Sequence, residues 1–126
     1  MTTRRRNLLR IVYGILFVLA GSNHFAMPDF YLNMMPAYLP WHAELVAISG
    51  VSEMLLGIGL IMPRTAPVAA WGIVALLIAV FPANINMALH PEQFPDVPAA
   101  SLWVRLPLQF LLVYWAYVFT RKPKGA

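Results

Sequence analysis

The chain has 126 residues, 60% of them hydrophobic and 11% charged, with a formal net charge of +4 and no cysteine. That much apolar surface exceeds what a soluble core of this length can hide from water, so composition excludes an ordinary soluble domain and points to a membrane protein. Without cysteine there is no disulfide framework, thiolate nucleophile or thiolate metal ligand, and redox work by this chain needs a bound cofactor.

In chain order, Arg4, Arg5, Arg6 and Arg10 lead into an apolar stretch over residues 8–27. The run loosely matches a twin-arginine pattern, but no clear small-x-small cleavage site follows, so this stretch is expected to remain as the first membrane span. Gly14, Gly21 and His24 share one helical face, which puts the imidazole on a packing surface. The connection after it carries Asp29, no Lys or Arg, and Pro28, Pro36 and Pro40, and reads as a loop. Its aromatics Phe30, Tyr31 and Tyr38, with Phe25, lie beside the polar positions and are candidates for a pocket mouth.

A second span covers residues 44–62, where Gly50, Glu53 and Gly57 repeat at i, i+3, i+7. The carboxylate therefore shares a stripe with two glycines that admit a close neighbour, and faces protein rather than lipid. Pro63, Arg64 and Pro67 make a tight turn into a third span over 67–88, which Pro82 interrupts just ahead of Asn84 and Asn86. Asn84 is read as the inward amide. Glu92 and Asp96 occupy the next connection, and a fourth span over 101–119 carries Arg105 and Gln109 on one face with Pro107 between them. Arg121, Lys122 and Lys124 follow it.

Each stretch approaches the roughly 20 residues that cross about 30 Å of hydrocarbon. The expected fold is all-α, a polytopic membrane four-helix bundle forming a single domain over 1–126. Eight of the nine Lys and Arg residues fall before the first span, in the Arg64 turn or after the fourth. The positive-inside rule then places both termini in the cytoplasm and the two long connections outside. The same placement makes the arginine run a topology signal rather than a nucleic-acid arm.

Ionisable and strongly polar groups inside spans are functional candidates by default. At about 1.5 Å per residue, Arg105 lies about 6 Å, Gln109 about 12 Å and Glu53 about 13 Å below the outer boundary, with His24 and Asn84 nearer the surface. All five occupy the outer half, which predicts an outward-facing polar crevice. A pair of opposite charges offsets the insertion cost of each, so Glu53 and Arg105 are expected to form a buried ion pair, with His24, Asn84 and Gln109 as hydrogen-bonding neighbours. A protonated, uncharged Glu53 is the alternative. His24 and Glu53 are the candidate catalytic groups, exchanging protons with a head group, and Asn84, Arg105 and Gln109 the candidate ligand-binding groups. No helical i, i+3 or i, i+4 ligand pair joins His24, Glu53, His90 and Glu92, so no metal site is expected.

His24-Phe25 with Pro28, Phe30-Tyr31 and Pro36; Gly50-Val51 with Glu53, Gly57 and Gly59; Pro82-Ala83-Asn84-Ile85 with Met87; and Arg105-Leu106-Pro107 with Gln109 together resemble the DoxX-like family of small four-helix membrane proteins. The resemblance covers all four spans. It implies a multi-pass protein of the bacterial inner membrane and a link to redox metabolism, since some relatives are subunits of systems that oxidise thiosulfate with quinone as acceptor. On that footing the expected function is a subunit of a membrane oxidoreductase with a quinone-like lipophilic cofactor in the crevice. A non-enzymatic assembly or chaperone-type protein with a membrane partner, and a structural bundle or homo-oligomer in the lipid bilayer, are the other classes the residues allow. In that last class the polar groups glue helices together at about 0.6 to 2 kcal/mol per bond.

Overall fold

In hydrocarbon a backbone must satisfy its own polar groups, and long apolar runs do so as helices. The computed structural model describes residues 2–35, 37–95 and 98–121, apart from the side chains of Met34, Gln93 and Ala99. Pro36, Asp96, Lys122 and Lys124 lie outside the described residues. Within them the protein is all-α: α1 (Thr3–Ala26), α2 (Pro28–Met34), α3 (His42–Ile61), α4 (Ala66–Leu89) and α5 (Ala99–Val118), with one turn of 3-10 helix over Pro91–Gln93. Three of these, α1, α3 and α4, are long and apolar enough to cross a membrane. The 20-residue α5 carries Arg105, Pro107 and Gln109 and is not among those three.

The first helix starts well before the apolar run, because the Thr2 side chain accepts from the Arg5 backbone amide at 3.2 Å and caps it. The connection read as a loop contains α2, with Pro28 in its first turn, where a missing N–H costs nothing.

The tightest contact runs between α1 and α3, which are antiparallel. A Cβ on Gly57 would lie 2.6 Å from the Gly14 carbonyl oxygen, and one on Gly21 would lie 2.6 Å from that of Gly50. Two glycine pairs seven residues apart on each helix therefore let the backbones touch. The α3–α4 hairpin also packs closely near its turn, where Gly59 meets Ala69 and Gly72 meets Leu56. Beyond that point α3 and α4 diverge around a cavity, and α5 packs along α4.

Two apolar clusters bracket the cavity. At the end bearing Arg6 and Arg10, buried Tyr13, Phe17, Leu60, Ile73, Ala116 and Phe119 form the larger one. At the end bearing α2, Met87, Ala88, Phe94 and Leu102 form the smaller, with Phe30 and Tyr31 packed against it.

Helix ends need partners for their last carbonyls, and the arginine end supplies them across helices. Arg10, only 4% exposed, donates to the Leu60 carbonyl at 2.7 Å and to that of Ile61. The Thr65 hydroxyl takes the Gly59 carbonyl at 2.6 Å, which completes the last turn of α3. Arg6 donates to the carbonyls of Val118 at 3.1 Å and Arg121 at 2.5 Å and so closes α5.

Candidate functional site

The cavity has a volume of about 660 Å³ and walls that are mostly aliphatic and aromatic. Its polar lining includes His24 from α1, Glu53 from α3 and Asn84 from α4, while Tyr31 and Met35 roof it at the α2 end. Leu16 and Ile48, 52% and 61% exposed, and the exposed Ala20 and Ala79 also line it, so the cavity opens at its side rather than being sealed.

His24 ends up in the wall because it continues the glycine stripe of α1. Its Cβ would lie 2.9 Å from a Cβ placed on Gly50. The imidazole Nδ1 lies 2.9 Å from the Ala20 carbonyl oxygen. A carbonyl can only accept, so Nδ1 carries the hydrogen, and Nε2 of the neutral ring is left as an acceptor. The ring stacks on Tyr31 with centroids 3.9 Å apart and planes 16° from parallel. The Asn23 amide holds the Tyr31 hydroxyl at 2.8 Å. Thus α2, unanticipated from sequence, orients the candidate histidine.

Glu53 meets the same imidazole. Its Oε2 lies 3.6 Å from His24 Nδ1, with the two side chains 12% and 8% exposed. That oxygen is buried and accepts no hydrogen bond. The expected pairing of Glu53 with Arg105 is not formed: the Glu53 carboxyl lies against the His24 imidazole instead. The cause is helix arrangement. Because α5 packs on α4, the Arg105 guanidinium lies over the Phe30 ring of α2, 5.7 Å from its centroid, and Arg105 is not part of the cavity lining.

Asn84 and Gln109 form the second cluster. The Gln109 amide nitrogen donates to the Leu77 carbonyl, and its oxygen accepts from Asn84 Nδ2. Pro82 has no N–H for the Ile78 carbonyl, and the Gln109 side chain bridges this stretch of α4 from Leu77 to Asn84. Gln109 itself is buried behind Asn84 and does not line the cavity. Of the five polar residues singled out from sequence, the fold gathers His24, Glu53 and Asn84 on one cavity, places Gln109 as a support, and leaves Arg105 apart.

Its place in the arginine run marks Arg10 only as a topology charge. The signal for its buried role was present, since Arg10 lies four residues before Gly14 on the stripe that continues to Gly21. No cluster of three or more His, Asp or Glu side chains suited to a metal ion occurs among the described residues.

No curated protein and no solved structure matches the chain. The family model of DUF8561, a domain of unknown function, matches residues 13–120. With nearly all of its membrane-length helices inside that match, the chain belongs to the DUF8561 family.

Proposed function

We propose that this protein is a four-span protein of the bacterial inner membrane, DoxX-like in kind, with both termini cytoplasmic, and that it holds a quinone-type lipophilic molecule in its cavity as a subunit of a membrane oxidoreductase. The observation that carries the reading is the apolar cavity with His24, Glu53 and Asn84 converging on it. Apolar walls with a few convergent polar groups suit a hydrophobic ring whose oxygens need partners. The lateral mouth suits a molecule that arrives through the lipid.

As a fourth span, α5 has the same 20-residue length as α3, and its Gln109 turns onto α4 rather than outward. Arg105 lies near the α2 end, where a long side chain reaches the interface. Arg4, Arg5, Arg6, Arg10, Arg64 and Arg121 collect at the opposite end, the cytoplasmic one under the positive-inside rule. Because the chain has no cysteine, single cysteines introduced at Thr3 and His90 report topology directly, and the proposal expects them to label from opposite faces.

In the site, Glu53 and His24 exchange protons with the head group while Asn84 holds an oxygen. The test is extraction of protein purified from native membranes in mild detergent, followed by mass spectrometry. A quinone-class molecule near one per protein, lost in Glu53→Gln and His24→Leu at unchanged protein amount, supports the site. Bulk lipid alone in the extract, with the variants changing only protein amount, would leave the polar groups as helix glue and end the proposal.

A further inference from the structure

At the arginine end, on the outer face of α4 and α5, we infer that the protein holds an anionic phospholipid, its phosphate on Arg121 and Tyr117 and its acyl chains on the exposed apolar surface beside them. All that is required is that this end of the membrane-length helices meets the membrane surface, whatever fills the cavity.

Arg4, Arg5, Arg64 and Arg121 are exposed at this end. The Asp and Glu side chains among the described residues belong instead to α2, to the first turn and middle of α3, and to the 3-10 turn over Pro91–Gln93. No arginine forms an ion pair among the described residues. The end is therefore cationic without a counter-ion from these residues, and the phosphates of an anionic membrane surface are the complementary charge.

Within that field, one place joins donors to an apolar floor. The Arg121 guanidinium lies over the Tyr117 ring, 5.6 Å from its centroid, and donates to the Tyr117 hydroxyl oxygen at 3.0 Å. A guanidinium can only donate, so the Tyr117 oxygen accepts here and its own O–H is left without an acceptor among the described residues. That hydroxyl hydrogen and the remaining guanidinium N–H groups stand side by side, which suits the paired oxygens of a phosphate. Trp71 of α4 closes edge-to-face on Tyr117 with centroids 5.8 Å apart. Tyr114, a turn before Tyr117, and Ile78, two turns after Trp71, are also exposed, so apolar surface continues from the donors toward the α2 end on both helices. Arg6 and Arg10 differ, because backbone carbonyls take their guanidinium groups. Arg4, Arg5 and Arg64 have no ring contact and no side-chain hydrogen bond among the described residues.

The test titrates the full-length protein in mild detergent with dioleoyl phosphatidylglycerol or dioleoyl phosphatidylcholine and reads retained lipid by native mass spectrometry. The second lipid carries the same phosphate but neutralises it with choline. Retention of the anionic lipid should be about fivefold or more higher, the scale of one cation near an anionic membrane surface. Arg121→Gln should remove most of that preference and Tyr117→Phe part of it, at unchanged unfolding midpoints. Arg64→Gln removes the same charge from the same end without touching the site, and should lose less. Excess inorganic phosphate should leave the lipid bound, since it brings no acyl chain. Equal retention of the two lipids overturns the inference. Equal losses in Arg64→Gln and Arg121→Gln overturn it in favour of a diffuse field, and displacement by inorganic phosphate overturns it in favour of a free-anion site.

Discussion

The two ends of the helix assembly solve the same problem in opposite ways. At the arginine end, the last carbonyls of α3 and α5 are taken by side chains from another helix, Arg10 and Arg6, and by the Thr65 hydroxyl. At the α2 end, the final turns of α1 and α4 use their own histidines: Nδ1 of His24 bonds the Ala20 carbonyl and Nδ1 of His90 bonds that of Asn86, each at 2.9 Å. Cross-helix caps stitch α1 to α3 and α5 at that end. Self-caps join no second helix, and there α3 and α4 diverge around a cavity roofed by α2 while α1 stays seated on α3. The contrast assigns stability to one end and ligand chemistry to the other.

The largest expected effect comes from forcing the stitched end apart. Ala at Gly57 puts a Cβ 2.6 Å from the Gly14 carbonyl oxygen and 3.0 Å from the Val18 amide nitrogen, and backbone atoms cannot step aside. Gly57→Ala should cost about 1 to 3 kcal/mol, the overpacking range, read as a lower midpoint of thermal unfolding in detergent. Gly72→Ala is the control. Its Cβ meets the tip of Leu56 at 2.5 Å, a flexible contact, and Ala favours a helix over Gly by about 1 kcal/mol, so it should be neutral or mildly stabilising. Equal losses in the two variants would erase the distinction between backbone seam and side-chain contact.

Next comes Arg10→Met, which keeps the aliphatic bulk and leaves the carbonyls of Leu60 and Ile61 without this partner. A loss of about 1 to 3 kcal/mol is expected from unpaired buried acceptors. Arg6→Met, from a half-buried position, should lose less. If Arg10→Met unfolds no more easily than the parent, the arginine end is not the stabilising half.

Which of this was legible beforehand follows from what a one-dimensional pattern encodes. Helical periodicity placed Gly14 and Gly21 on one packing stripe and Gly50 and Gly57 on another, because spacing within a helix is local, but it did not say that the two stripes meet. The same arithmetic put His24 and Glu53 on packing faces. It failed for Arg105, since depth fixes height in a bundle but not which helices adjoin, and α5 sits against α4. It also passed over α2, where prolines and a short run of seven residues read as loop, and so it missed the Tyr31 stack that orients His24. The amide chain from Asn84 through Gln109 to Leu77 depends on a backbone carbonyl five residues before Pro82, and no residue type announces that.

Glu53→Gln probes the hollow end in the same terms. Oε2 accepts no hydrogen bond, so the amide has little to lose, and a stability change within about 1 kcal/mol is expected. Ligand retention should fall instead, because the amide cannot take part in the proton exchange assigned to the carboxyl. A stability loss as large as that of Arg10→Met would show the polar cluster binding the helices together and would remove the contrast between the ends.

The smallest expected effect lies at the rim of that hollow end. Trp41, just before α3, has φ 57° and ψ 48°, the left-handed region, and its side chain is 73% exposed. A bulky residue held there costs about 1 to 2 kcal/mol, and Asn tolerates the conformation far better because its short side chain bonds locally. Trp41→Asn should therefore raise the unfolding midpoint by the equivalent of about 1 kcal/mol in detergent, where few packing contacts are lost with the indole. In a bilayer the gain should shrink, since an exposed Trp beside the equally exposed Tyr38 is placed to rest at the membrane interface. The difference between the two media is the informative quantity. A gain of the same size in bilayer and detergent would mean that this loop stands clear of the lipid and that α2 caps the cavity without anchorage from Trp41.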